Sequence, residues 1–210
     1  MYLITNTSYK GKMADNVLVV IGNDGEKIVV IPQIIFKGKR SISWKDVEQY
    51  LVRYVGEMIM ISGTEEFILI DRTFVDEYTG SDYTNKLVGA LPKVKANMSQ
   101  GIPQMIEIAT EKRWKSDFDC KHKKKAGKGW FRYNTRFALP VMNDKGEIIE
   151  FNVFRAVLIV RYSADGKLYL YDIQNIKKET RYPSWTKTSD GQKPASSKTN
   201  YSMNDNKMQE

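Results

Sequence analysis

Residues 130–177 contain three segments of β-branched and aromatic residues, separated by two turn sequences. The segments run from Trp130 to Leu139, from Ile148 to Tyr162 and from Lys167 to Lys177. The sequences between them, Asn143-Asp144-Lys145-Gly146 and Ala164-Asp165-Gly166, favour tight hairpin connections. The sequence therefore predicts an antiparallel meander of three neighbouring strands. A helical spacing of apolar residues further predicts a helix from Ile102 to Trp114 that packs across them.

Alternation along these strands predicts which side chains share a face. Successive residues of a strand point to opposite faces, so Trp130, Arg132 and Arg136 lie on one face and Thr135 on the other. The middle segment is apolar at both parities, which predicts a central strand covered on both sides. Arg155 interrupts that apolar row and needs an anionic partner, either a structural carboxylate or a ligand phosphate.

The first half of the chain predicts smaller elements. A hairpin is expected around Gly22-Asn23-Asp24-Gly25, and Ser43 with Asp46 resembles the start of a helix that runs through Met58. Further expectations are a strand from Glu66 to Asp71, a turn from Thr73 to Gly80 and a short helix from Asp82 to Ala90 that Pro92 ends. The segment after it, with Lys93, Lys95, Asn97 and Ser99, is either an ordinary capped helix start or a phosphate site.

Composition narrows the classes of function. The net charge is +8, the sequence pI is near 9.3, and Cys120 is the single cysteine. A positive field attracts phosphate polymers, while one cysteine and one histidine cannot form the usual zinc site. We find no phosphate-binding glycine loop, dinucleotide fingerprint, leader segment or membrane-spanning apolar run, and therefore expect no cofactor, no membrane contact and a cytoplasmic, reducing location.

A basic run precedes the meander. Its residues are Lys121, His122, Lys123, Lys124 and Lys125. Such a run is either a nucleic-acid-binding surface or a solvated loop. The chemistry that remains is metal-independent chemistry on a phosphodiester, which requires a proton-transferring group, cations and positioning donors. The side chains of suitable type are His122, Arg136, Arg155, Thr135 and Tyr171.

Several motifs together resemble a known group of domains. They are Lys95-Ala96-Asn97, Met105-Ile106-Glu107-Ile108-Ala109, His122 in its lysine run, Gly129-Trp130-Phe131-Arg132-Tyr133, Phe154-Arg155-Ala156, and Gly166-Lys167-Leu168-Tyr169-Leu170-Tyr171-Asp172-Ile173-Gln174-Asn175-Ile176-Lys177-Lys178-Glu179. In this order they resemble the C-terminal domains of phage MuF-type and large polyvalent proteins. That group belongs with the barnase, EndoU, colicin and RelE-like nucleases, many of them toxins of phages and mobile elements.

The resemblance implies an α+β fold in which helices pack on a curved antiparallel β-sheet. Residues 1–90 would form an N-terminal extension of a β-hairpin and a helix, residues 91–179 the nuclease-like domain, and residues 180–210 a disordered tail. The implied activity is metal-independent RNA cleavage by a phage or mobile-element toxin or effector, with a cognate inhibitor protein as a further partner. The alternative is a non-catalytic module of the same fold that binds nucleic acid or a host protein.

The resemblance also implies roles for individual residues. The ribose 2′-hydroxyl would attack the adjacent phosphate with His122 as general base or acid, while Arg136 and Arg155 stabilise the developing negative charge. Thr135 and Tyr171 would orient the phosphate. The residues expected to contact nucleic acid are Lys95, Lys121, Lys123, Lys124, Lys125 and Arg132.

Overall fold

A computed structural model describes residues 17–38, 41–115 and 129–183 of the chain. The fold is α+β, with a strongly curled β-sheet. In chain order its elements are β1 (Leu18–Ile21), β2 (Lys27–Val30), α1 (Trp44–Leu51), β3 (Met58–Met60), β4 (Phe67–Ile70), α2 (Arg72–Gly80), α3 (Asp82–Asn85), α4 (Leu91–Met98), α5 (Ile102–Glu107), β5 (Thr110–Lys115), β6 (Gly129–Met142), β7 (Ile148–Tyr162) and β8 (Leu168–Pro183). None of the helices in the described part of the chain is long and apolar enough to cross a bilayer.

The eight strands of the described residues form one sheet in the order β1-β2-β6-β7-β8-β4-β3, with β5 attached to β6. Strands β6, β7 and β8 are antiparallel neighbours, which confirms the predicted meander. However, β2 is parallel to β6 and β4 is parallel to β8. The sheet is therefore mixed, and the prediction of a purely antiparallel sheet was wrong. Two parallel neighbouring strands must be joined by a crossover connection. Here the helical segments form part of these crossovers, and local turn signals in the sequence do not indicate them.

One face of the sheet carries the helices and the main hydrophobic core. Tyr133 and Phe137 of β6 and Leu158 of β7 are fully buried there, together with Leu51 of α1 and Met105 of α5. A smaller cluster lies on the opposite face, and its buried members are Ile28, Val30, Ala138, Phe151 and Val153. The predicted alternation of β6 and the two-sided burial of β7 are therefore confirmed.

Local capping explains the helices of the first half. The predicted cap of α1 is present, because the Ser43 hydroxyl accepts a hydrogen bond from the Asp46 N–H at 3.3 Å. The segment expected to be a turn is instead α2, which the Asp71 carboxylate caps by accepting from the Phe74 N–H at 3.2 Å. Phe74 and Tyr78 of α2 are fully buried, so packing of this face stabilises a helix whose acidic residues obscured its periodicity.

Three predicted helix ends were wrong. The helix expected to run through Met58 ends at Leu51, a 3₁₀ turn follows to Tyr54, and Met58 begins β3. The helix from Ile102 ends at Glu107, and residues 110–115 form β5, which pairs with the open edge of β6. The helix beginning at Asp82 ends at Asn85, while Pro92 lies in the first turn of α4, where its missing N–H leaves no bond unmade. Pairing with a neighbouring strand decides whether such a segment becomes helix or strand, and local periodicity does not indicate that pairing.

A buried ion pair connects α4 to β8. The Lys95 ammonium donates to Asp172 Oδ1 and to Thr84 Oγ1, both at 2.8 Å, and both charged side chains are fully buried. Asp172 Oδ2 accepts from Ser81 and Gln174. Burial lowers the pKa of Lys95, although Asp172 acts in the opposite direction. Lys95 is thus inaccessible to a nucleic acid, which corrects its predicted role as a phosphate contact.

Removing one member of this pair should be strongly destabilising. Asp172→Ala leaves the Lys95 ammonium buried without its carboxylate, and we expect the free energy of unfolding to fall by about 3–5 kcal/mol. The double variant Lys95→Met/Asp172→Leu should recover most of that loss, because neither residue then carries a buried charge. Urea unfolding measures both effects, and a single variant as stable as the parent would contradict this account.

Candidate functional site

A cleft opens on β6 where two other strands diverge. β2 pairs with β6 at Phe137 and Ala138, and β5 pairs with the same edge between Trp130 and Asn134. Neither strand pairs with Thr135 or Arg136, which lie between these two regions. A cleft of about 100 Å³ lies at this point, bounded by the first residues of β2 and β5.

A carboxylate joins two arginines beside this cleft. Arg136 and Arg155 are directly opposite each other on β6 and β7. Arg136 Nε donates to Glu179 Oε2 at 2.8 Å, and Arg155 Nε contacts Glu179 Oε1 at 2.7 Å. Arg136 Nη1 also donates to Asp24 Oδ2 at 2.7 Å. Glu179 is therefore held at both oxygens by the two guanidinium groups.

A β-bulge positions Glu179 on β8. Lys178 lies opposite Phe154 and Thr180 lies opposite Val153, so Glu179 is an extra residue without a partner on β7. Bulges twist a strand locally and re-aim the side chain of the extra residue. The register shift brings Glu179 next to Arg155, which therefore has a carboxylate partner.

The two arginines differ in accessibility. The Arg136 side chain is 10% exposed, whereas the Arg155 side chain is 52% exposed and Glu179 is 22% exposed. Slight burial alone would raise the pKa of Asp24, but hydrogen bonds from the Glu26 N–H and from Arg136 hold that pKa below its ordinary value. Arg136 is thus a shielded cation between two carboxylates, while the outer edge of Arg155 is open to an anion.

Polar residues line the rest of the cleft. Lys27 and Glu26 lie at its β2 side, and Glu111 and Asn134 at its β5 side. Asn134 donates to Glu111 Oε2 at 2.6 Å and accepts from Arg113 at 2.6 Å. Glu111 has a positive φ of 50°, at the register shift that separates Thr110 from Arg113. The polar side chains at the β5 side of the cleft are therefore held in place by hydrogen bonds between the two strands.

Two other predicted catalytic residues, Thr135 and Tyr171, have partners of their own away from the two guanidinium groups. Thr135 is buried on the helical face and donates its hydroxyl to the Met105 carbonyl at 2.9 Å. Tyr171 lies near the other end of β6, where its ring contacts that of Trp130. Burial, and then a hydrogen bond with Glu77, raise the pKa of Tyr171. Thr135 lines the cleft, but its hydroxyl is used by a backbone carbonyl, and Tyr171 lies at the far end of the strand. Neither side chain is therefore placed to orient a phosphate at Arg136 and Arg155, which corrects the prediction.

The remaining predicted site residues divide into two groups. Arg132 is partly exposed and shares a face of β6 with Arg136, as alternation predicts. Cys120, His122 and the lysines at 121, 123, 124 and 125 lie outside the described residues. The tail was predicted to begin at residue 180, but β8 continues to Pro183, and residues 184–210 lie outside the described part of the chain. The helix start near Lys93 is not the phosphate site we considered, since Asn97 binds the backbone of Ile35 and Phe36.

Sequence reasoning missed two members of the cluster. Glu179 ends the run Asn175-Ile176-Lys177-Lys178-Glu179, and nothing in a local pattern indicates the bulge that re-aims it. Asp24 was assigned only to a hairpin turn, yet its carboxylate reaches Arg136. One signal could have indicated these carboxylates: a strand face with several arginines requires anionic partners nearby.

A larger cavity, of about 520 Å³, lies on the other side of β6. Phe131, Tyr162 and Phe67 contribute apolar lining, and Lys112 forms an ion pair there with Glu66. Glu66 neutralises Lys112, Glu65 and Lys167 add one charge of each sign, and the walls are mainly apolar, so this cavity offers less to a phosphate than the arginine cluster does.

Comparison of the chain with protein-family models, with curated proteins and with solved structures gave no match. Within residues 17–38, 41–115 and 129–183, no group of three or more His, Cys, Asp or Glu side chains is arranged to hold a metal ion.

The two arginines should differ in their contribution to stability. Arg136→Ala removes two charge-assisted hydrogen bonds from a shielded site, and we expect a loss of about 1–3 kcal/mol in the free energy of unfolding. Arg155→Ala removes a half-exposed ion pair and should change stability by at most about 1 kcal/mol. Chemical denaturation of both variants tests the difference, and equal losses would show that the cluster is uniformly structural.

Proposed function

We propose that this chain is an RNA-cleaving domain of the barnase, EndoU, colicin and RelE-like type and that its reaction needs no metal ion. The observation that supports this proposal is the Glu179 carboxylate held between Arg136 and Arg155 at the edge of a cleft. A carboxylate can accept the proton of a ribose 2′-hydroxyl, and guanidinium groups can stabilise negative charge on a phosphate. The motif resemblance supports the same class.

In the proposed reaction the 2′-oxygen attacks the neighbouring phosphorus while Glu179 accepts the 2′-hydroxyl proton. The bond from the 2′-oxygen to phosphorus forms, and the bond from phosphorus to the 5′-oxygen breaks. The products are a 2′,3′-cyclic phosphate and a 5′-hydroxyl, whose proton comes from a general acid. His122 is the proposed acid, because an imidazole titrates near neutral pH.

The two arginines have separate roles in this scheme. Arg155 holds Glu179 through Nε and has a 52% exposed side chain, so the outer edge of its guanidinium can bind a non-bridging phosphate oxygen. Arg136 is less exposed and is held by Asp24 as well as Glu179. It therefore acts mainly by fixing the carboxylate, while the planar donor fork of Arg155 contacts the substrate.

One observation favours the non-catalytic alternative, a module of this fold that binds nucleic acid or a host protein. Arg136 already has two carboxylate partners. A purely structural ion-pair network would also contain an arginine neutralised in this way. Cleavage assays discriminate between the two functions.

Glu179→Gln should reduce RNA cleavage by about 10²- to 10⁴-fold, the range typical of a general acid or base. The amide keeps the size of the carboxylate but cannot accept the proton. Incubation of purified protein with end-labelled single-stranded RNA, with and without a chelator, measures the rate, and chelation should not change it. His122→Ala should fall in the same range, and Arg155→Lys should not restore the parent rate because lysine lacks the planar fork.

The matched control is Asp76→Asn, an acid-to-amide change at an exposed position of α2 that pairs with Arg72. It should cleave at the parent rate. A parent protein that cleaves no RNA would favour the binding module, and a Glu179→Gln variant as active as the parent would remove Glu179 from the mechanism.

The basic run should contribute sequence-independent affinity. Neutralising Lys121, Lys123, Lys124 and Lys125 together should weaken RNA binding and flatten its salt dependence, because each phosphate contact on a single strand contributes a slope of about −0.7. Fluorescence anisotropy at several salt concentrations measures that slope. An unchanged slope would identify the run as a solvated loop.

A further inference from the structure

The face of β6 and β7 that lies opposite the main hydrophobic core presents a continuous row of cross-strand pairs. The register between these strands is unbroken from Gly129 to Val141. The pairs on this face are Trp130 with Arg161, Arg132 with Ile159, Asn134 with Val157, and Arg136 with Arg155. The proposed catalytic cluster is therefore one end of a longer surface.

Aromatic rings occupy the other end of that row. The rings of Trp130 and of Tyr171 on β8 meet edge to face, with centroids 4.8 Å apart. Arg161 lies 4.9 Å from the ring centroid of the neighbouring Tyr169 and is fixed by Asp71 at 2.8 Å. Trp130, Tyr169 and Tyr171 are each partly exposed. The rings are thus held in place by their neighbours while part of their surface remains open.

The spacing of this row suits a polymer rather than a small molecule. Trp130 and Arg136 are six residues apart on β6, a separation of roughly 20 Å at about 3.3 Å per residue. Arg132 lies between them on the same face and is partly exposed. A row of cations combined with aromatic rings is the arrangement by which many proteins hold single-stranded nucleic acid, since phosphates contact the cations and bases stack on the rings.

We infer that the Trp130–Tyr171 pair stacks a base of single-stranded RNA whose backbone runs past Arg132 to the Arg136–Arg155 cluster. The choice of RNA rests on the proposed function. Paired bases inside a duplex cannot reach a ring on a sheet face, so the ligand is single-stranded. Tyr171, which we first predicted as a catalytic residue, becomes a binding residue distant from the reacting phosphate.

Fluorescence anisotropy with a labelled single-stranded RNA of about ten nucleotides tests this inference, a length within the ~4–16-nucleotide sites of single-strand-binding folds. All measurements use the Glu179→Gln background, so that the probe stays intact. Trp130→Leu should weaken binding by about 5- to 150-fold, the loss equivalent to one stacked base. Trp130→Phe, which retains an aromatic ring, should recover most of the affinity, and a duplex of the same sequence should bind more weakly.

Trp114→Leu is the matched control. Trp114 is 51% exposed but lies opposite Phe131, on the other face of the sheet, so its removal should leave affinity within about twofold of the background, well below the loss of one stacked base. Circular dichroism and urea unfolding verify that each variant is folded. Equal affinity for Trp130→Leu and the background, equal losses for Trp130→Leu and Trp114→Leu, or no binding by the background protein would each overturn the inference.

These outcomes are independent of the cleavage test. If the parent cleaves RNA but Trp130 substitutions alter neither binding nor the Michaelis constant, base stacking on the Trp130–Tyr171 pair is ruled out and the proposed function stands. If the parent cleaves no RNA while binding depends on Trp130 as stated, the proposed function fails and base stacking on the Trp130–Tyr171 pair stands.

Discussion

The rest of the structure depends on the uninterrupted pairing of β6 with β7. Because the register holds from Gly129 to Val141, every side chain along this hairpin is assigned to one of two faces. Odd-numbered residues of β6, such as Tyr133 and Phe137, form the core beneath the helices. Even-numbered residues, including Arg132 and Arg136, line the opposite face. A shift by one residue would bury the arginines and expose the aromatic core.

The strands flanking this hairpin determine where the polar face becomes a site. On one edge of β6, β2 and β5 pair with different stretches and leave an opening at Thr135 and Arg136. On the other side of β7, β8 follows with register shifts, one of which places Glu179 between the arginines. Irregularities in an otherwise regular sheet thus create both the opening and the carboxylate, as β-bulges commonly do beside functional sites.

Two ion-pair clusters on β8 illustrate how burial changes the role of a charge. Lys95 and Asp172 are fully buried with satisfied hydrogen bonds, an arrangement that connects α4 to the sheet and leaves neither charge accessible to a ligand. Arg155 and Glu179 retain 52% and 22% exposure, and so remain accessible to a ligand. The resemblance motifs include residues of both clusters.

The sequence by itself determined the central meander, the faces of its side chains, the first hairpin and the cap of α1. All of these depend on local signals: turn residues, alternation with period two, and a capping hydroxyl next to its own helix. It also identified Arg136, Arg155 and Arg132 as cations on these strands, because an arginine in an apolar strand is conspicuous wherever the strand lies.

Only the tertiary structure decided which of those residues meet. Glu179 and Asp24 are 43 and 112 residues from Arg136 in the chain, and a bulge and a parallel crossover bring them together. Thr135 and Tyr171 had suitable chemistry, but the pleat turned one into the core and distance along β6 separated the other from the arginines. Long-range strand pairing fixes such positions. Any strand can satisfy the backbone hydrogen bonds of its neighbour, whatever their separation in sequence, so a local sequence pattern does not indicate which strands will pair.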